Sequence, residues 1–133
     1  MGWWEAIVVV YIREILQLNA INLNATVMEQ VPQQLIWTEQ TREVAPIIIL
    51  ICVSLLVEKN WWRRLGVFLW TFAFWDISYY AGLKIKLGWP PSLTTMDCLF
   101  LIPVPWIAPV WFPLGVMLLF ILLSLFIFYA AKE

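Results

Sequence analysis

Histidine is absent from this chain. Its absence removes the commonest protein ligand of haem and zinc and the commonest general base at neutral pH. Cysteine occurs twice, at Cys52 and Cys98, each inside an apolar run and without the spacing of a metal site. Both read as small buried apolar residues, with a disulfide between them the weaker alternative. Charge is scarce as well, at 13% of residues against about 25% in soluble domains. The net charge of −1 comes with no basic stripe to neutralise phosphates, so no nucleic-acid partner is expected. Neither a G-x-S-x-G elbow nor a Cys–His pair occurs, and Ser54 and Ser124 sit in apolar stretches without a base, so nucleophilic catalysis has no support. No internal repeat is visible, which removes the sequence argument for an inverted-repeat transporter. No cofactor and no metal centre are expected.

What the chain does have is apolar surface. Hydrophobic residues make up 63% of it, against about 45–50% in soluble proteins. Ten of its 133 residues are Trp, which collects at membrane interfaces. The expected class is an all-α integral membrane protein, one bundle over residues 1–133. About four transmembrane helices and a proline-broken re-entrant or lateral segment at 97–112 are expected within it. The N-terminus is not expected to be a cleavable signal, because Glu5 precedes the first apolar run and no basic region or small-residue cleavage site accompanies it.

Residues 3–27 start W-W-E-A-I-V-V-V-Y-I and then turn polar through Arg13, Glu14, Gln17 and three asparagines. The length suits a crossing, which takes about 20 residues for about 30 Å of hydrocarbon. Two readings follow: a span covered by other helices, or an amphipathic segment at the interface. Leu16, Leu18, Ile21 and Leu23 give no clean apolar face, which favours the covered span. Residues 28–38 read as a connector, with Pro32 in the first turn of a helix running to Glu58. The uncharged core of that helix, Val44 to Val57, covers only about 21 Å, so the turns carrying Glu39, Arg42 and Glu43 must enter at least the headgroup region. An interfacial anchor of snorkelling charges is favoured there over a designed ionic site, and Pro46 is expected to kink the helix.

E-K-N-W-W-R-R at 58–64 is the clearest loop, and its Lys59, Arg63 and Arg64 place it in the cytoplasm by the positive-inside rule. A third helix is expected from Leu65 to about Leu83, with Asp76 near its middle. One acid at the bilayer centre costs about 2.5–3.5 kcal/mol, so Asp76 must face protein or water. From Cys98 onward no charge occurs until Lys132, yet Pro103, Pro105, Pro109 and Pro113 interrupt the apolar run. Lipid does not tolerate irregular backbone, so residues 97–112 should be covered by the helices, and a last span should run from Leu114 to Ala131. Both termini then fall on the cytoplasmic side. Lys59, Arg63, Arg64 and Lys132 lie on that side, and Arg42, Lys84 and Lys86 on the other.

Asp76 is the sharpest candidate for function, with Tyr79 and Tyr80 one turn further on the same face. It reads either as part of a proton or ion path, or as the structural acceptor of free N–H groups in the proline-broken loop or of Arg13, and the structural role is favoured. Within hydrogen-bond reach of Asp76 we expect the 97–106 segment or a Tyr or Arg side chain. Asp97, after Ser92, Thr94 and Thr95, reads as the cap of a short helical piece. Arg13, Glu14, Glu39, Arg42 and Glu43 could form a charge cluster between the first two helices, a device that more often sets register than binds an ion. Glu14, Glu39 and Glu43 could hold a hard cation, although nothing in the sequence sets their spacing.

The runs R-E-V-A-P-I-I-I-L, W-D-I-S-Y-Y, G-W-P-P-S-L and D-C-L-F-L-I-P-V-P-W together resemble a group of small bacterial inner-membrane proteins. The resemblance covers roughly the last two thirds of the chain and implies a multi-pass protein of the bacterial inner membrane. It implies no activity, substrate or site residue. The group is expected to carry Thr where this chain has Pro46.

The leading functional expectation is a non-catalytic small subunit or accessory protein of a larger membrane complex, with membrane lipids and other membrane subunits as its partners. An ion- or proton-handling protein using Asp76 is the alternative, and a membrane-embedded enzyme acting on lipid comes third.

Overall fold

The computed structural model describes residues 1–15, 33–102 and 104–131, without the side chains of Arg13, Ile15 and Leu35. The described chain is mostly helical. It comprises α1 (Gly2–Ile15), α2 (Gln33–Val57), α3 (Trp61–Leu87), the strands β1 (Met96–Phe100) and β2 (Trp106–Pro109), and α4 (Trp111–Ala130). A helix closes all its own backbone bonds, which is what long apolar sequence requires where water is excluded.

The 27-residue α3 packs against each of the other three helices. Its start is set by Asn60, whose side-chain oxygen accepts from the backbone N–H groups of Trp62 at 2.9 Å and Arg63 at 3.3 Å. Its end is set by Gly88, at φ 65°, whose N–H closes on the Lys84 carbonyl at 3.0 Å. Glycine takes that left-handed conformation without strain. Lys84 and Lys86 in the last turn complement the helix dipole.

Small residues let the helices approach α3 closely. Ser124 of α4 is fully buried and donates to the Gly66 carbonyl of α3 at 2.8 Å. A Cβ at Gly82 would lie 2.7 Å from Ala6 Cβ, so α1 rests on α3 only because that position has no side chain. The buried cluster at this end of the molecule is Ala6, Tyr80, Leu83, Trp89 and Val110.

Two helices, Ile36–Val57 and Trp111–Ala130, are long and apolar enough to cross a membrane. The apolar part of α1, Gly2–Ile12, is shorter than a crossing needs. Residues 16–27, the rest of the expected first span, and Pro32 lie outside the described residues.

Several expectations change. Within the 97–112 segment, β1 and β2 pair as an antiparallel ladder rather than forming irregular chain, with Met96 opposite Pro109, Asp97 opposite Ala108 and Cys98 opposite Ile107, and Trp111 and Phe112 already belong to α4. Strand pairing satisfies the backbone groups that would otherwise be orphaned, and Pro105 and Pro109 sit just before and at the end of β2, where no donor is needed. Asp97 therefore lies within a strand and caps no helix. α4 begins at Trp111, so Pro113 occupies a first-turn position whose missing N–H is harmless. Pro46 lies inside α2, which continues past it to Val57. The 58–64 loop shrinks to Glu58–Asn60, because the Asn60 cap draws Trp61 to Arg64 into α3. Across that turn Arg63 pairs with Glu58 at 3.1 Å.

Candidate functional site

Positions 72, 75, 76, 79 and 80 fall on one face of α3 at helical spacing. Phe72, Trp75, Asp76, Tyr79 and Tyr80 together form one wall of a cavity of about 270 Å³. The same spacing on α4 contributes Phe112, Val116 and Phe120, while β1 and β2 add Asp97, Cys98 and Trp106. Glu5 from α1 and Arg42 and Glu43 from α2 complete the charged part of the lining. Four helices and the hairpin therefore each contribute side chains to one space.

The polar groups in this space are tied by specific bonds. Tyr80 donates its hydroxyl to Asp97 Oδ2 at 2.9 Å, and both residues are buried, at 5% and 2% exposure. Trp75 Nε1 donates to Glu5 Oε2 at 2.8 Å. Arg42 donates Nε to Glu39 Oε2 at 2.7 Å, while its Nη1 lies 3.7 Å from Glu5 Oε1. Leu101, one residue past β1, donates its N–H to Glu43 Oε2 at 3.0 Å, and its carbonyl accepts from Gln40 Nε2 at 3.0 Å. Asp76 Oδ2 is fully buried and has no hydrogen-bond partner among the described residues.

This arrangement reassigns the expected roles. The side chains that satisfy the backbone of the apolar segment are Gln40 and Glu43 of α2, one turn apart on the helix face turned toward Leu101. They do this in place of Asp76, and the Tyr80 hydroxyl, one of the two expected near Asp76, is aimed at Asp97. Glu39, Arg42 and Glu43 are partly buried and paired inward, not held as a snorkelling anchor, because Glu5 and the Leu101 amide offer them partners inside the bundle. Glu14 is exposed on α1 and does not join them; Glu5 takes the place expected for it. The side chain of Arg13 lies outside the described residues.

Glu5 is the site residue the sequence reading missed. The available signal was an acid one turn into an apolar helix, flanked by aromatics, with no basic residue nearby in sequence to pair it.

Among the described residues, no group of three or more Cys, Asp or Glu side chains is placed to hold a metal ion. The expected Glu14, Glu39 and Glu43 set is accordingly not assembled, and Glu14 is exposed on α1. Both cysteines are free thiols. Burial, and secondarily the Asp97 carboxylate beside it, pushes the Cys98 thiol up to about 12, so it is not a thiolate nucleophile at neutral pH.

Comparison with known proteins yields no family. No protein-family model, curated protein or solved structure matches this chain. The site has to be read from its own chemistry.

Proposed function

We propose that this chain is a multi-pass protein of the bacterial inner membrane that takes up a proton or a cation in the cavity around Asp76. The observation that carries the reading is the charge balance of one shared, partly open cavity. Glu5, Glu43, Asp76 and Asp97 line it with one guanidinium, that of Arg42. Arg42 is already engaged by Glu39 and Glu5. Carboxylates sharing a site of low dielectric cannot all remain charged without a proton or a cation among them.

The exposed apolar faces of α2 and α4 support the membrane placement. Leu56 at 85% and Phe126 at 67% exposure would be costly in water and are at home in lipid. In this reading α2, α3 and α4 make the crossings, and α1 packs along the Trp75–Gly82 stretch of α3 with Gly2 to Ala6. The Glu58–Asn60 turn and the end of α4 at Ala130 are cytoplasmic, and the hairpin lies laterally against the helices.

The charged and polar groups around the site are Glu5 from α1, Glu39, Arg42 and Glu43 from α2, and Asp76, Tyr79 and Tyr80 from α3. Asp97 and Cys98 from β1 complete the set. The test is flux in vesicles carrying the full chain, under an imposed proton or sodium gradient. Asp76→Asn is expected to abolish a flux that the unmodified protein supports. An intact fold with unchanged flux in that variant overturns the reading.

A second reading, a non-catalytic accessory subunit of a larger membrane complex, draws on the same uncovered helix faces, which suit neighbouring membrane subunits as well as lipid. It predicts partners of fixed stoichiometry after mild-detergent purification, and recovery as a lone chain counts against it.

A further inference from the structure

We propose that the ligand of the Asp76 cavity is a small organic ammonium ion, held by the Asp76 carboxylate against aromatic rings. This inference rests on the reading that the cavity takes a cation, and it names the class of that cation.

The first argument is about which oxygens are available. A hard metal ion takes about six or more oxygen ligands and gives up its water reluctantly. Here Glu5 is engaged by Trp75 and Arg42, Glu43 by the Leu101 amide and Asp97 by Tyr80. Asp76 Oδ2 is the carboxylate oxygen left buried without a partner among the described residues. One such oxygen can neutralise a single positive charge but cannot replace a hydration shell. An organic ammonium carries a diffuse, weakly hydrated charge and makes no such demand.

The second argument is about the walls. A proton needs no space, whereas this cavity offers about 270 Å³. Phe72, Trp75, Tyr79, Trp106, Phe112 and Phe120 all line it. Several of these rings hold one another in place. Phe72 stands edge-on to Trp75 at 5.1 Å and to Phe120 at 6.0 Å. The faces of aromatic rings carry negative potential and attract cations whose charge is spread over alkyl groups, most strongly where water is excluded. Rings on α3 and α4, the half-exposed Trp106 of β2 and the Asp76 carboxylate line one space, and these are the residue types an ammonium cage uses.

Calorimetric titration of the full chain in lipid nanodiscs with tetraethylammonium, at ionic strength held constant with sodium chloride, tests this. Saturable one-site binding is expected. Asp76→Asn should weaken it by more than about tenfold, the effect of losing one buried charge partner, while Asp76→Glu should retain most of it. Trp106→Ala should weaken it about tenfold and Trp106→Phe much less, the signature of a ring and not of mere bulk. Melting of each variant identifies any that fails to fold, and the Glu and Phe variants then decide the outcome.

Absence of tetraethylammonium binding, or binding indifferent to Asp76→Asn, overturns the proposal. If Asp76-dependent proton or sodium flux persists in a chain that binds no tetraethylammonium, the organic-cation inference falls and the cation-site reading stands. If neither is observed, both fall.

Discussion

Glu43→Ala isolates what holds the hairpin, and with it one wall of the cavity, against α2. In the native protein the Leu101 amide donates to Glu43 Oε2 and the Leu101 carbonyl accepts from Gln40, each at 3.0 Å. Leu101 is 8% exposed, so water has little access to replace either bond. A hydrogen bond to a charged acceptor contributes about 1.5–3 kcal/mol, and a buried amide left unpaired costs about 1–3 kcal/mol. Loss of the Glu43 carboxylate should therefore lower stability by about 2 kcal/mol, reduced where the adjoining cavity lets water reach the amide. Glu43→Gln keeps an acceptor oxygen in place and should lose about half as much, the difference between a charged and a neutral acceptor. Hydrogen exchange at the Leu101 amide reads the bond directly, and unfolding by denaturing detergent reads its energetic consequence. Adding Gln40→Ala to Glu43→Ala should cost less than the sum of the two single changes, because both act on one residue of backbone. If the Leu101 amide exchanges as slowly in Glu43→Ala as in the native chain, the hairpin is held by something else and this account of its placement is wrong.

Three further outcomes are expected. Tyr80→Phe removes the donor to Asp97 and should destabilise by about 1–3 kcal/mol in thermal unfolding, the cost of under-satisfying a buried acceptor; a loss of only a few tenths would mean that the other contacts of Asp97 suffice. Ser124→Ala should cost about 0.6 kcal/mol, the average of a side-chain hydrogen bond between membrane helices, while Ser124→Leu should cost several times more by forcing α4 from Gly66. In a Cys52→Ser background, alkylation of Cys98 should keep accelerating as pH rises toward about 12, because a raised thiol releases its proton only there. A rate that levels near the free-thiol value of about 8.5 would refute the burial argument.

Legibility in the sequence followed physical cause. The last helix was plain because nothing in Leu114–Ala130 competes with an apolar helix; the body of α3 was plain from Leu65 to Leu83, but the Asn60 cap that starts it at Trp61 was not. Asp76, Tyr79 and Tyr80 could be placed on one face from spacing alone, and they do share a cavity. The hairpin was not legible. Four prolines over Pro103–Pro113 argue against a central strand, and only the fold reveals that Pro109 can end a two-stranded ladder while Pro113 opens a helix. The partner of each acid was not legible either, since Glu5 meets Trp75, 70 residues away, and Glu43 meets Leu101, 58 residues away. Spacing rules reach one or two turns along a helix and do not reach across a bundle.

Asp76→Asn separates a structural acid from one held for a ligand. An acid kept for the fold would be satisfied by it, as Asp97 is by Tyr80 and Glu43 by Leu101. Replacing such an acid strands its donors and lowers stability. Asp76 stands in the opposite position: its Oδ2 is buried, no donor among the described residues points at it, and Asp97 and Glu5 share its cavity with charge of the same sign. Removing its charge relieves that repulsion and strands nothing. The variant should accordingly match or exceed the unmodified chain in stability, by up to about 1–3 kcal/mol, the range set by one unsatisfied buried polar group. Its amide must itself find a partner, which limits the gain. Unfolding of both chains in the same lipid and buffer measures the difference. A loss comparable to that of Glu43→Ala would show that Asp76 supports the fold after all, and the site would lose the one group whose placement the fold does not need.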